Sequence, residues 1–295
     1  MPVVEPLGAT VPGVAHHLDE INGVPLHHVT AGDAGTPVLL IHGWPETWYA
    51  FHRLIPLLAD HHRVIAVDLR GFGDSGTDAP AYDQASHVQD LHLLVERLDL
   101  GPVHLVCQDI SGGIGFRLAS THPEDVLSLT GIETTLAGFG FELLADVLHG
   151  GSWHVSFLGT PGIASLLLPG RERELIAEWA YPLMTGPAGG IDPGTIEEFV
   201  RTYSRDDAWR GTEGLYRELF VDEGATRALA EEHPLTMPVL AVDGVNRPFT
   251  ANTFGQVVAG ELSAVVIDDV GHLVAQEAPE ALAEALLHFI SGVER

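Results

Sequence analysis

The chain has 295 residues, 41 Asp and Glu against 14 Arg with no Lys, and a formal net charge of −27. A surface of that sign argues against nucleic acid or an anionic membrane as partner. One cysteine forbids an internal disulfide, no signal-like N-terminus is seen, and no apolar run approaches the ~20 residues that span a bilayer, so a soluble, cytoplasmic protein is expected.

In chain order, short apolar runs alternate with helical periodicity. Residues 38–41 read as a buried strand ending at His42-Gly43, and a helix is expected over 46–60. Residues 63–68 give the next strand. A helix over 86–98 follows, with Val88, Leu91, Val95 and Leu98 on one face. A strand at 103–107, a helix at 110–121 and a strand at 126–132 continue the series. This βαβα rhythm predicts an α/β fold with a mostly parallel central sheet and helices on both faces. The rhythm stops between 137 and 233. That stretch shows helical pieces such as 171–183 and 195–203, no evident strand, and many aromatics: Trp153, Phe157, Trp179, Tyr181, Tyr203, Trp209, Tyr216 and Phe220. It reads as a helical cap, 137–233, inserted into a core formed by 1–136 and 234–295. A strand at 238–242, a helix at 252–259, a strand at 264–267 and a helix at 279–291 complete that core.

Chemistry concentrates after the strand at 103–107. Cys107-Gln108-Asp109-Ile110-Ser111-Gly112-Gly113 has the pattern of a nucleophile elbow, a tight strand-to-helix turn that exposes one side chain and needs small neighbours two residues away on either side. The exposed residue is Asp109, and a carboxylate attacks an electrophilic sp³ carbon well. His272, after the last strand and before the last helix, stands where the base of such a site comes in chain order. Two acids compete to orient it. Glu133 directly follows the strand at 126–132. Asp243 sits at the end of the strand at 238–242, too early in its loop, while Asn246 and Arg247 further out are not acids, so Glu133 is preferred. In His42-Gly43-Trp44-Pro45, the amides of Trp44 and Ile110 form the expected oxyanion hole, and His42 fixes its loop. The glycine-rich turn 68–75 reads as structural. The pairs His16-His17, His27-His28 and His61-His62 lack metal-ligand spacing, since strand neighbours face opposite ways. Neither metal nor cofactor is expected.

Together these residues resemble the α/β-hydrolase-fold epoxide hydrolases over residues 38–132 and 238–289. The likeness is carried by His-Gly-Trp-Pro, the Asp-bearing elbow and Gly271-His272-Leu273 in order. Cys107-Gln108 departs from the family's more frequent Gly-His before the Asp. Glu133 is similar to the acid of a bacterial subgroup, placed after the family's sixth strand. In that subgroup a His/Tyr pair on the cap donates to the epoxide oxygen. The local patterns around Trp153-His154 and Leu215-Tyr216-Arg217 carry that role over to His154 and Tyr216, with Tyr181 and Tyr203 as competitors. The resemblance implies an epoxide hydrolase that forms a covalent Asp109 ester and acts on a small, apolar epoxide, with a homodimer left open. Haloalkane or haloacetate dehalogenases share the fold and the Asp, yet usually carry Trp, or two Arg, at positions held here by Ile110 and Gly113. A non-catalytic ligand-binding protein on the same fold is the remaining alternative.

Overall fold

Five mostly apolar strands make the heart of the molecule. β4 (Pro37–Ile41), β5 (Arg63–Val67), β6 (Val103–Gln108), β7 (Val126–Ile132) and β8 (Val239–Asp243) are buried along nearly their whole length. Strands covered on both faces need no polar alternation, which is why Val38-Leu39-Leu40-Ile41 runs unbroken. Each such side chain, fully buried, contributes roughly 1.5–3 kcal/mol. The computed structural model describes residues 3–187, 189–244 and 248–295. It joins these strands to β1 (Val3–Val4), β2 (Ala15–Ile21), β3 (Val24–Ala31) and β9 (Leu262–Val266). The sheet order is β1-β2-β3-β5-β4-β6-β7-β8-β9. Pairing is antiparallel from β1 to β5 and parallel from β5 to β9. The helices α1 (Leu54–Ala59) and α13 (Pro279–Val293) pack together, as do α2 (Gln84–Arg97) and α3 (Gly112–Thr121).

Between β7 and β8 the described residues form helices and turns, with one isolated bridge from Leu235 to Val258. They include α4 (Trp153–Gly159), α5 (Ile163–Leu167), α6 (Glu172–Leu175), α7 (Tyr181–Met184), α8 (Pro193–Tyr203), α9 (Trp209–Val221) and α10 (Glu223–Glu232). Two short helices, α11 (Phe249–Phe254) and α12 (Val274–Glu277), flank β9 and its following loop.

Several expected elements differ in detail. The hairpin of β2 and β3 was not anticipated, because its histidines and acids break any apolar alternation. The helix expected over 46–60 is a 3₁₀ turn, Trp48–Phe51, followed by α1. Pro56 has no N–H to bond back to residue 52, so it sits in the first turn of a helix that restarts after Arg53. The helix expected over 171–183 is interrupted by a π-turn, Ile176–Ala180. Pro182 has no N–H to continue the ordinary ladder there. The helix expected over 252–259 begins earlier, at Phe249, because the Asp243 carboxylate accepts from the amides of Thr250 (2.9 Å) and Ala251 (3.3 Å).

Register then builds the site. Ile41 is level with Cys107, Gln108 with Ile132, Ile132 with Val242, and Val242 with Val265. The carboxyl ends of β4, β6, β7 and β8 therefore share one edge of the sheet. From β4 the chain crosses to β5 on one side, while β6 lies on the other. Crevices in open α/β sheets form at such a reversal. The loops after β4 and β6 meet here.

Candidate active site

Asp109 stands at the tip of the turn after β6 with φ +54°. The left-handed region costs an L-residue roughly 1–2 kcal/mol, so neighbours must impose it. The Ser111 hydroxyl donates to the carbonyls of Gln108 (2.7 Å) and Ile41 (3.0 Å), and Thr134 Oγ1 donates to the Asp109 carbonyl (2.5 Å). Close approach demands glycine at two points. A Cβ on Gly43 would come within 2.6 Å of Asp109 Cβ, and one on Gly112 within 2.0 Å of Thr134 Oγ1. The Asp109 carboxylate faces the loop after β4, where the Trp44 amide donates to its Oδ2 at 2.9 Å. The Ile110 amide bears on the same carboxylate.

Glu133 directly follows β7 and also takes a positive φ, +46°. That backbone directs its carboxylate across the sheet edge. Oε1 accepts from the Gly244 amide (2.5 Å) and Oε2 lies 3.2 Å from His272 Nδ1. His272 Nε2 lies 3.3 Å from Asp109 Oδ1. The imidazole thus bridges the two carboxylates, and Asp109 and His272 each keep about a fifth of the side chain open (20% and 21%). The His272 loop is fastened to the helical segment. The His272 amide donates to the Met184 carbonyl (2.8 Å), while the Glu277 carboxylate accepts from the amides of Gly186 (2.7 Å), Gly271 (3.1 Å) and Leu273 (3.3 Å).

Charge follows from this geometry. Burial opposes ionisation of Asp109, yet His272 and the Trp44 and Ile110 amides outweigh it and hold the carboxyl below its ordinary value. Burial likewise opposes the imidazolium, yet the Asp109 and Glu133 carboxylates raise His272 well above the usual histidine range. At neutral pH the pair is carboxylate and imidazolium. The site holds an ionised carboxylate with two amides directed at it and an imidazole anchored by a second acid.

The helical segment adds aromatic groups above Asp109. His154, in the first turn of α4, stacks on Trp44 with ring centroids 5.1 Å apart and planes at 17°. Tyr216, on α9, meets Trp44 edge-on at 6.0 Å and His154 at 6.2 Å. Burial, the larger effect, lowers His154 to about 4 even though Asp109 pulls it upward, so its imidazole is neutral. Burial and the Asp109 charge keep the Tyr216 phenol well above its ordinary value, so it retains its proton. The competing tyrosines have their hydroxyls engaged elsewhere. Tyr181 OH pairs with the Gln276 side chain (3.3 Å to Oε1), and Tyr203 OH with Thr212 Oγ1 (3.1 Å). Among the described residues nothing bonds the Tyr216 hydroxyl.

The remaining sequence candidates fall outside this cluster. His42 is fully buried, with Nδ1 on the Gly43 carbonyl (2.7 Å) and Nε2 accepting from the Leu69 amide (3.2 Å), so it ties two loops together. Asp243 caps α11, and Asn246 and Arg247 lie outside the described residues. The best-placed metal-type group among the described residues is His27, Asp68 and Asp74. Its atoms are already committed: His27 Nδ1 to Asp68 Oδ2 at 2.7 Å, and Asp74 to the Arg201 guanidinium at 3.0 Å.

Two residues escaped the sequence reading. Glu46, three positions after Gly43, is wholly buried. Burial raises its carboxyl to about 8, and it accepts from Gly43 N (3.3 Å), from Gln108 Nε2 (3.0 Å) and from Gln276 Nε2. Ser152 lies 2.7 Å from His154 Nδ1. Neither has a local sequence signal. Glu46 lay at the start of an expected helix, and Ser152 resembles any helix-capping serine.

Comparison with known proteins fits this geometry. The family described as alpha/beta hydrolase fold matches residues 36–157. A soluble epoxide hydrolase from Corynebacterium sp. (strain C12) is 28% identical over 284 residues, covering 94% of this chain and 98% of its own. A fluoroacetate dehalogenase from Burkholderia sp is 30% identical over 215 residues, covering 70% and 69%. The crystal structure of wild-type Cfl2 from Burkholderia cenocepacia superimposes with a TM-score of 0.84 at 30% identity, covering 94% of this chain and 96% of that one.

Proposed function

We propose that this chain, which belongs to the alpha/beta hydrolase fold family and is a hydrolase, opens epoxides to vicinal diols through an ester on Asp109. The observation that carries the reading is a carboxylate at the elbow tip with a neutral imidazole and a phenol gathered around Trp44 beside it. A hydroxyl nucleophile would serve esters, whereas a carboxylate serves an sp³ carbon, and opening a strained ether needs donors for the departing oxygen. The helices between β7 and β8, residues 137–233, act as the cap that supplies those donors.

Asp109 attacks an epoxide carbon in line with the breaking C–O bond. The developing alkoxide is stabilised by the His154 N–H and the Tyr216 O–H. Esterification removes the negative charge that held the proton on His272, and the alkoxide takes that proton. Neutral His272, oriented by Glu133, then draws a proton from water, which attacks the Asp109 carbonyl carbon. The Trp44 and Ile110 amides hold the tetrahedral oxyanion. Collapse expels the diol and restores the Asp109 carboxylate beside a protonated His272.

Halide displacement is the competing chemistry, and one observation favours it: the Trp44 indole N–H is buried without a partner and so is available to a halide. Against it, Ile110 and Gly113 stand at the positions where haloacetate dehalogenases usually carry arginines for the haloacid carboxylate. The deciding experiment uses His272→Gln, which stalls the second step. After incubation with epibromohydrin the intact protein is weighed and the adduct mapped. Gain of the whole probe, bromine retained, on the peptide containing Asp109 supports epoxide opening. Gain of the probe less HBr makes the protein a dehalogenase. No adduct across a panel of epoxides makes it a non-catalytic binder.

A further inference from the structure

Ser152 occupies the N-cap of α4 with extended backbone, φ −125° and ψ 136°. A serine there ordinarily turns its oxygen back to an amide of the first helical turn, for about 1 kcal/mol. This one makes no such bond. Its Oγ is 2.7 Å from His154 Nδ1, and its own amide is anchored on the Leu144 carbonyl at 2.7 Å. The cap has been given up for a contact with the imidazole that stacks on Trp44.

The contact has a direction that matters. A neutral imidazole has one N–H and one lone pair, and the bond at one nitrogen fixes the character of the other. With Nδ1–H donating to Ser152, Nε2 would present a lone pair to a developing alkoxide and repel it. With Ser152 donating to Nδ1, the proton sits on Nε2. No described residue bonds Nε2, and the ring is clamped by Trp44 on one side and Trp179 at 5.4 Å on another. The clamp fixes the ring plane but leaves the tautomer open, and the serine hydroxyl supplies the missing constraint.

We propose that Ser152 is a positioning residue whose hydroxyl donates to His154 Nδ1 and holds His154 as its Nε2–H tautomer, aimed at the oxygen of the opening ring. The inference rests on the epoxide reading for its chemistry, although the tautomer itself does not.

Ser152→Ala and Ser152→Thr test it. The His154 tautomer is read by long-range ¹H–¹⁵N NMR of histidine-labelled protein, its signals assigned by their loss in His154→Gln. The expectation is a single Nε2–H form in the wild type and in Ser152→Thr, and a mixture or the Nδ1–H form in Ser152→Ala. Single-turnover alkylation should fall about tenfold in Ser152→Ala, the size of one lost hydrogen bond, and recover in Ser152→Thr. Hydrolysis of the ester and the thermal midpoint should be unchanged, since the hydroxyl caps no backbone amide. An unaltered tautomer in Ser152→Ala, or an Nδ1–H form in the wild type, overturns the role of Ser152. Failure of the wild type to react with any epoxide overturns the functional reading instead, and the NMR result tells the two failures apart.

Discussion

The sheet edge and the helical segment supply the same site by different means. At the sheet edge, backbone does the placing. Asp109 and Glu133 are forced into positive φ by strand ends in register, and amides of Trp44, Ile110 and Gly244 hold their carboxylates. In the helical segment, side chains do it. His154 is located by stacking on Trp44 and by one hydroxyl, and Tyr216 by edge-on contact with Trp44. Backbone constraint tolerates little change and, on the proposed reading, suits a nucleophile whose line of attack is fixed. Side-chain packing is easily altered and, on the same reading, suits the groups proposed to meet the substrate.

Substitutions should divide along the same line. Asp109→Ala is expected to abolish turnover while leaving circular dichroism and the thermal midpoint intact, because it removes the bond-forming atom and relieves a buried charge. Retained turnover would remove the sheet edge from the chemistry altogether. Glu133→Gln should come next. It leaves His272 without its anionic partner, and a comparable change in a Ser-His-Asp triad costs about 10⁴-fold. The loss should fall on hydrolysis of the ester, seen as accumulation of alkylated protein by mass spectrometry. Asp243→Asn, which touches only the cap of α11, should cost about 1 kcal/mol of stability and little activity. If the two variants exchange their effects, the orienting acid is Asp243.

Tyr216→Phe should slow alkylation about a hundredfold, the typical loss of one donor to a developing oxyanion, and leave the ester's hydrolysis rate unchanged. Rapid-quench mass spectrometry separates the two steps. Equal slowing of both would mean that Tyr216 packs the site rather than serving it, and the distinction between the two regions would blur.

The same difference explains what could be read in advance. The elbow, the loop after β4 and the order Asp109, Glu133, His272 were legible because tight turns restrict residue type: Gly43 and Gly112 have no room for a Cβ. The strands from β4 to β8 were legible because double burial makes most of their positions apolar. Within the helical segment a functional aromatic and a packing aromatic obey one periodicity, so His154 and Tyr216 came only from resemblance to a family. Ser152 and Glu46 were invisible because each depends on a partner more than 50 residues away or on a cap that is not made. The β2–β3 hairpin was missed since its histidine pairs, His16 with His27 and His17 with His28, bury polar rings where apolar ones are expected.

A last test puts the two histidines of the site in opposition. His154 is lowered in the folded protein to about 4 from 6.5 by burial. Between those values the unfolded chain binds the extra proton and the folded one does not. Stability therefore falls as pH drops from 6.5 to 4, by up to about 3 kcal/mol for a shift of this size. His272 is displaced the other way. Burial works against its charge, but Asp109 and Glu133 prevail. Its contribution is fully present below pH 6.5 and is lost only as pH rises through its folded value. Urea unfolding across pH 4 to 9 should show this as two difference curves. The stability of His154→Gln minus wild type should grow as pH falls below 6.5. The deficit of His272→Gln should be largest at acid pH and shrink as pH climbs. Parallel curves would mean that the two imidazoles share one environment, and that the sheet edge and the helical segment impose no separate protonation states on the site between them.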